Sequence, residues 1–403
     1  MDINTEELKA HAPLIPYVKQ HYKDRIHIER ETKNAVFMRC LWHQENTASL
    51  VLFANGTYKC FGECGAHGDI ITFVQAMENL QFQEACKLIG DNVGYDIILE
   101  EPNPVFEAYK DKLDNHSRRY WNNLQQNGPA LKYLVCERGI SKEMIDQFRL
   151  GFTDQEEYRY RTDIGNISNR IVFPILEHKR RAPKCVGMAY RGLTDEKPKY
   201  VNDPNQDGRE GQDLQLAGVF IKGDLLYGMP FAYEGISKCG HAILVEGYLD
   251  VISLHQSGIT NTVGAMGTSI TENQIKELSK VTKNILLFLD SDKAGTGAML
   301  KVIGDLYMAG FNVAICLLEN SMDPADLCKS LNFDNMRIKA EIKAHTKQGI
   351  ELVVSNAVER YENIATMERT KALRTAMPII EAVQDQGIKE MYKAKLYKRL
   401  DIN

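Results

Sequence analysis

Four side chains near the start of the chain have the types and spacing that capture a metal ion. They are Cys40-x2-His43 and, sixteen residues further on, Cys60-x3-Cys64. Two pairs of soft ligands separated by one hairpin's length of chain are how a closed, tetrahedral, structural zinc site is assembled. The second pair is one residue wider than a two-residue knuckle because Glu63 lies inside it, so its amide hydrogen bonds to sulfur are expected to differ. His67, at Cys64-x2-His67, is a fallback ligand that ranks below Cys60. The other cysteines (86, 136, 185, 239, 316 and 328) stand alone in apolar or helical context and read as small buried hydrophobes.

A second set of candidate ligands is made of oxygen alone. Glu246, Asp290 and Asp292 each follow a short apolar run, as does Asp323. Carboxylates gathered in one place repel unless cations hold them, and all-oxygen ligands favour Mg²⁺ or Mn²⁺ over zinc. Paired divalent ions can align a 3′-hydroxyl with the α-phosphate of an incoming nucleotide and neutralise the charge that develops. Asp290-x-Asp292 places two carboxylates on one side of an extended segment. The plainer roles are helix capping for Asp292 and Asp323 and dipole compensation for Asp250, four residues after Glu246.

These residues need elements to position them. Ala48–Phe53 and Thr57–Phe61 read as strands joined by a tight Asn55-Gly56 turn, which returns the second metal pair to the first. Helical patterns follow over Gly68–Asn79 and Phe82–Gly90, and a proline-punctuated linker at residues 100–104 closes a first unit of residues 1–100. From residue 240 the pattern alternates strand and helix. The strands are Ala242–Val245, Asn261–Val263, Asn284–Leu289 and Phe311–Leu318. That alternation predicts a parallel sheet whose working residues lie beyond the carboxyl ends of its strands. Glu246, Asp290, Asp292 and Asp323 all fall there.

Between these units, Val105–Leu150 is helical and two strands follow, Arg170–Leu176 and Cys185–Tyr190. Residues 159–191 hold eight Lys or Arg against two acids, and basic side chains on a sheet suit a phosphate backbone. Arg170 and Arg191 of this stretch are candidate substrate contacts, and it is followed by Lys197-Pro198-Lys199-Tyr200-Val201-Asn202 and by Lys222. Residues 336–403 read as helices. The fold class is therefore multidomain α/β, divided at 1–100, 105–239, 240–335 and 336–403.

Composition is consistent with this organisation. The 403 residues are 44% hydrophobic and 26% charged, which excludes a disordered, collagen-like or disulfide-framework chain. No apolar run reaches membrane-span length, and the start lacks a signal-peptide pattern, so a cytoplasmic protein is expected. With a net charge of −5, nucleic-acid contact must come from local basic patches.

Three blocks together resemble a known family. Cys40-x2-His43…Cys60…Cys64 followed by Gly65-Ala66-His67-Gly68-Asp69 resembles the zinc-binding domain of bacterial-type (DnaG-like) DNA primases. Arg170-Ile-Val-Phe-Pro-Ile resembles the basic signature of their polymerase domain. Glu246-Gly-Tyr-Leu-Asp250, Gly267-Thr268 and Asp290-x-Asp292-Lys-Ala-Gly295 are similar to the Toprim metal-binding motif. The resemblance covers the chain from about residue 10, with the blocks in family order.

It implies a zinc-ribbon module followed by a polymerase core made of a basic subdomain, a Toprim subdomain and a helical subdomain. It also implies Mg²⁺ ligands at Glu246, Asp290 and Asp292, with Asp250 and Asp323 in support. Arg170 is implied at template or nucleotide, and Lys199, Asn202 and Lys222 near nucleotide phosphates. The expected activity is primer synthesis, with single-stranded DNA template, NTPs, an RNA primer product and a replicative helicase or other replisome protein as partners. A short, phage-like form without a helicase-binding domain is expected. The rival readings are a Toprim nuclease or topoisomerase-like strand breaker and a non-catalytic zinc DNA-binding factor. Asp323-Pro-Ala-Asp326 has one residue more than the family's common Asp-Pro-Asp.

Overall fold

The structure is a computed structural model of the chain. It describes residues 5–95, 97, 103–154, 167–177, 183–193, 197–206, 216–267, 269–289, 296–318, 322–361 and 366–401. Asp290, Asp292 and Thr268 lie outside the described residues, as do Arg159, Arg161 and residues 179–181 of the basic stretch. The chain forms two compact units, Met1–Pro102 and Asn103–Asn403.

In the first unit five antiparallel strands stand in chain order: Ile28–Glu31, Ala35–Met38, Leu50–Phe53, Thr57–Cys60 and His67–Asp69. The expected hairpin is present, with Leu50 opposite Cys60 and Gly56 at a φ of +86°, the left-handed backbone its turn requires. The first two strands and the last were not legible. Ile28–Glu31 reads Ile-Glu-Arg-Glu, with no apolar alternation, and mostly faces solvent. Asp69 fixes the start of the next helix, Ile70–Glu78, by accepting from the Ile71 and Thr72 amides at 3.0 and 3.1 Å. This capping moves the helix start two residues past the expected Gly68. Leu8, Val18, Met38, Leu50, Phe73, Val74 and Ile89, drawn from helices and sheet, form one buried core.

The second unit holds two sheets. One is antiparallel, in the order Gly151–Phe152, Arg170–Leu176, Cys185–Gly192, Tyr200–Asn202. Its two long strands are buried along their whole length. The other has the order Thr262–Gly264, Ala242–Val245, Asn284–Leu287, Asn312–Cys316, Thr346–Gln348. The first four run parallel, as the strand–helix alternation predicts. The fifth is antiparallel and corrects the expectation that residues 336–403 are entirely helical. Thr346-Lys347-Gln348 has no apolar residue to mark a strand; its pairing to the sheet edge makes it one.

The parallel sheet is covered on both faces, as parallel sheets are. On one face Leu244, Leu287 and Ile315 join Val354, Ala376, Ile380 and Leu396 of the C-terminal helices in one core. On the other, Ile243, Val245 and Leu286 join Phe173 and Ile175 of the antiparallel sheet.

His255 is enclosed where the helix Tyr248–Gln256 packs edge-on against Phe148, at 5.3 Å. Its Nε2 meets the Thr262 carbonyl at 2.9 Å, and its Nδ1 is buried without a hydrogen-bond partner among the described residues. Burial lowers its pKa from 6.5 to about 4, because a second ring proton would have nothing to bond. The unfolded chain therefore takes up this proton first as pH falls. The stabilisation is complete above about pH 6.5 and is lost progressively towards pH 4, a change of about 3 kcal/mol. The melting temperature of the second unit should therefore fall more steeply between pH 6.5 and 4.5 in the wild type than in His255→Gln. Parallel curves would remove His255 from the acid response.

Candidate metal centres

Among the described residues, Cys40, His43, Cys60 and Cys64 bring one ligand atom each to within 4.8 Å of all the others. Cys40 and Cys64 Sγ are 3.5 Å apart, and Cys60 Sγ lies 3.9 Å from His43 Nδ1. Zn–S bonds of about 2.3 Å place tetrahedral sulfurs roughly 3.8 Å apart, so the four residues fit a closed zinc site. His67 is on the exposed sheet edge with its Nδ1 near the Gly65 carbonyl, outside this group.

The wider knuckle keeps its sulfur hydrogen bond. The Gly62 amide donates to Cys60 Sγ at 3.3 Å, as the Trp42 amide does to Cys40 Sγ at 3.5 Å. The extra residue is accommodated after this bond, and Gly62 is required there. A Cβ would stand 2.6 Å from His43 Nε2 and 2.9 Å from Ser49 Oγ.

Glu45 was missed at the sequence level. Its Oε1 accepts from the Cys40 amide at 2.5 Å and the Ser49 amide at 3.2 Å. Its Oε2 lies 3.1 Å from His43 Nε2. An Nε2–H donated to this carboxylate leaves Nδ1 for the metal and fixes the ring. A carboxylate two residues beyond a ligating histidine was the available signal. Glu45→Gln should keep the fold and weaken zinc retention about 10- to 100-fold, measured by competition with a chromogenic chelator; unchanged retention would contradict the role.

The second centre is the carboxyl edge of the parallel sheet. Glu246, half-buried, follows the strand Ala242–Val245 directly. The neighbouring strand Asn284–Leu287 runs parallel to it, with Leu244 beside Leu287, and Asp290 follows Leu287 by three residues in the sequence. Asp323 follows the next strand, Asn312–Cys316, and caps the helix Pro324–Ser330 by accepting from the Asp326 amide at 2.7 Å.

Asp250, the other expected supporting acid, lies four residues after Glu246. It is buried, with Oδ2 accepting from the Gly247 amide at 3.0 Å and Oδ1 from the Ala325 amide at 3.2 Å. It thus joins the loop after Glu246 to the helix that Asp323 begins. Asp326 is exposed and shares that helix's first turn.

The basic residues divide. Lys184 bonds Glu107 at 3.2 Å and Asp111 at 2.5 Å, both on the long helix Pro104–Gln126. It is therefore neutralised rather than part of an open basic face. Arg170 is buried and donates to the Pro198 carbonyl at 3.0 Å, tying its strand to the segment carrying the exposed Lys199. Arg191 is buried against Tyr133 and Tyr200, and donates to the Tyr200 hydroxyl at 2.7 Å.

Lys222 lies in a segment held by a bond from its own amide to Asn205 Oδ1, at 2.9 Å. The same segment continues to Tyr227, which exchanges two 2.9 Å backbone bonds with Gly264 at the end of an edge strand. Lys222 is thereby brought towards the same sheet edge as Glu246. Asn202, at the end of the antiparallel sheet, accepts from Tyr248 Oη at 2.7 Å. Tyr248 immediately follows the Glu246-Gly247 turn.

Two family models match the chain: a CHC2 zinc finger over residues 4–103 and a Toprim-like domain over residues 243–328. A DNA primase from Aquifex aeolicus is 30% identical over 362 residues, covering 84% of this chain and 68% of that relative. Those from Clostridium acetobutylicum and Helicobacter pylori are 28% and 31% identical, over 94% and 87% of this chain. The chain spans 65% and 64% of the length of those two relatives.

Among solved structures, the zinc-binding and RNA polymerase domains of the Aquifex aeolicus primase match 100% of this chain and 98% of their own. That match has a TM-score of 0.59 at 26% identity. A DnaG primase catalytic domain bound to single-stranded DNA covers 73% of this chain and 96% of its own, with a TM-score of 0.60 at 23% identity, and shares the fold.

Proposed function

Since this chain belongs to the DnaG-type DNA primase family, we propose that it synthesises short RNA primers from NTPs on a single-stranded DNA template. The observation that carries the proposal is the shared edge of the parallel sheet. Glu246, the strand leading to Asp290, and Asp323 all reach it, and the Lys222 segment is anchored to it. A pure DNA-binding factor has no need of carboxylates beside phosphate-binding residues, where they repel the ligand.

Each group has a part in this reading. Glu246, Asp290 and Asp292 hold the magnesium ions, with Asp323 beside them; magnesium supplies charge neutralisation at the reacting phosphate. Lys222, Lys199 and Asn202 receive the phosphates of the incoming nucleotide, and Arg170 holds the Lys199 segment in place. The buried Arg191 steadies Tyr200 on the neighbouring strand. Asp250 positions the Glu246 turn and supports the metal site beside it. The zinc unit contributes to choosing where on the template synthesis starts. The working site is the cytoplasm, and among the described residues no helix is long and apolar enough to cross a membrane. A replicative helicase or another replisome protein is the proposed further partner.

The test is incubation with single-stranded DNA and labelled NTPs. Short RNA products support a primase; shortened or relaxed DNA would instead favour a Toprim nuclease or strand breaker.

A further inference from the structure

Tyr248 occupies an unusual place. It is the first residue of the helix that follows the Glu246-Gly247 turn, yet its ring belongs to the other sheet. The ring is 5% exposed. It stacks on Phe173 at 5.2 Å and 24°, meets Tyr227 edge-on at 4.8 Å, and lies 5.8 Å from Tyr200. Packing of this kind fixes both of its side-chain torsions, so its hydroxyl has one place to be. That place is 2.7 Å from Oδ1 of Asn202, the last residue of the strand Tyr200–Asn202.

The direction of this bond matters. The Tyr248 hydroxyl donates and the Asn202 side-chain oxygen accepts. An amide whose oxygen is taken turns its two N–H donors the other way. Asn202 is half-buried, and among the described residues nothing accepts from its Nδ2. A side chain offering only donors suits only an acceptor, and phosphate oxygens are acceptors.

We propose that Tyr248 is a positioning residue that locks the amide of Asn202 with its donors free for a phosphate oxygen of the incoming nucleoside triphosphate. The lock also ties that contact to the turn carrying Glu246, so nucleotide position and metal position are set by one rigid link. This rests on the reading of the site as a nucleotidyl transferase, and it adds the residue that orients Asn202.

Tyr248→Phe keeps the ring stack and removes only the hydroxyl. In full-length protein, primer synthesis over an NTP concentration series should show KM raised roughly three- to tenfold with kcat within about twofold. Asn202→Asp keeps an oxygen for Tyr248 and deletes both donors, so it should raise KM further than Tyr248→Phe does. In an Asn202→Ala background, Tyr248→Phe should have no added effect. Unchanged KM in Tyr248→Phe, a loss confined to kcat, full additivity with Asn202→Ala, or an ordinary KM in Asn202→Asp would overturn the assignment. If the wild-type chain made no RNA, the transferase reading would fall and the assignment with it. An active wild type with an indifferent Tyr248→Phe would overturn the assignment alone.

Discussion

Asp290→Ala should lower RNA synthesis on the order of 10³-fold while single-stranded template is retained within about threefold. The expectation follows from where charge develops. Nucleotidyl transfer builds negative charge on the oxygens around the α-phosphate, and single electrostatic contacts at such sites are worth about 10²–10³ in rate. Removing a carboxylate proposed to hold magnesium should cost at least as much, because the bound metal would supply the charge neutralisation that the reacting phosphate needs. Template binding draws on other groups, since backbone phosphates are held by Lys and Arg. Glu246→Gln should behave alike, because Glu246 ends the strand adjacent to the one leading to Asp290. The checks are a primer-synthesis assay alongside filter binding of the template. If both fell together, the acids would be serving the fold.

Cys60→Ser should leave the zinc unit with far less than one metal per chain and melt it roughly 10–20 °C lower. Cys60 is a buried member of the ligand group. Its sulfur is set by the Gly62 amide and by Ser49 Oγ at 3.2 Å. A hydroxyl there binds zinc weakly, and the metal's binding energy is folding energy for the loops it ties together. A loss of a few kcal/mol in a unit of this size corresponds to that temperature shift. The unit should nonetheless retain its sheet, because Leu8, Val18, Leu50 and Phe73 bury themselves without help from the metal. Metal analysis and differential scanning calorimetry measure the two effects. An unchanged zinc content would mean that another residue completes the site.

Parts of the chain that carry strong local pattern were legible before any coordinates. The run Ala242-Ile-Leu-Val245 is apolar throughout because a parallel strand is covered on both faces, and its bounds match the observed strand. Arg170–Leu176 behaves likewise. The four metal ligands declare themselves by type and spacing. The outer strands of the zinc unit and Thr346–Gln348 did not, since edge strands take their identity from a neighbour rather than from their own residues.

The basic stretch shows how charge counts mislead. Lys184 is spent on Glu107 and Asp111, and Arg170 and Arg191 are buried. Counting charge along the chain cannot show which acid on the long helix lies opposite. Glu45 carried a readable signal two residues beyond His43, but the bonds of Asp250 to the Ala325 amide and of Tyr248 to Asn202 join residues far apart in sequence, which type and spacing could not show.

The most direct measurement is labelled RNA made by the full-length chain on defined single-stranded DNA, titrated with magnesium, for wild type and Glu246→Gln side by side. Short template-dependent RNA whose yield rises with magnesium in the wild type, and is lower on the order of 10³-fold in the variant at every concentration, is the predicted result. RNA of equal yield from the variant would show that the strand-end carboxylates do not carry the reaction.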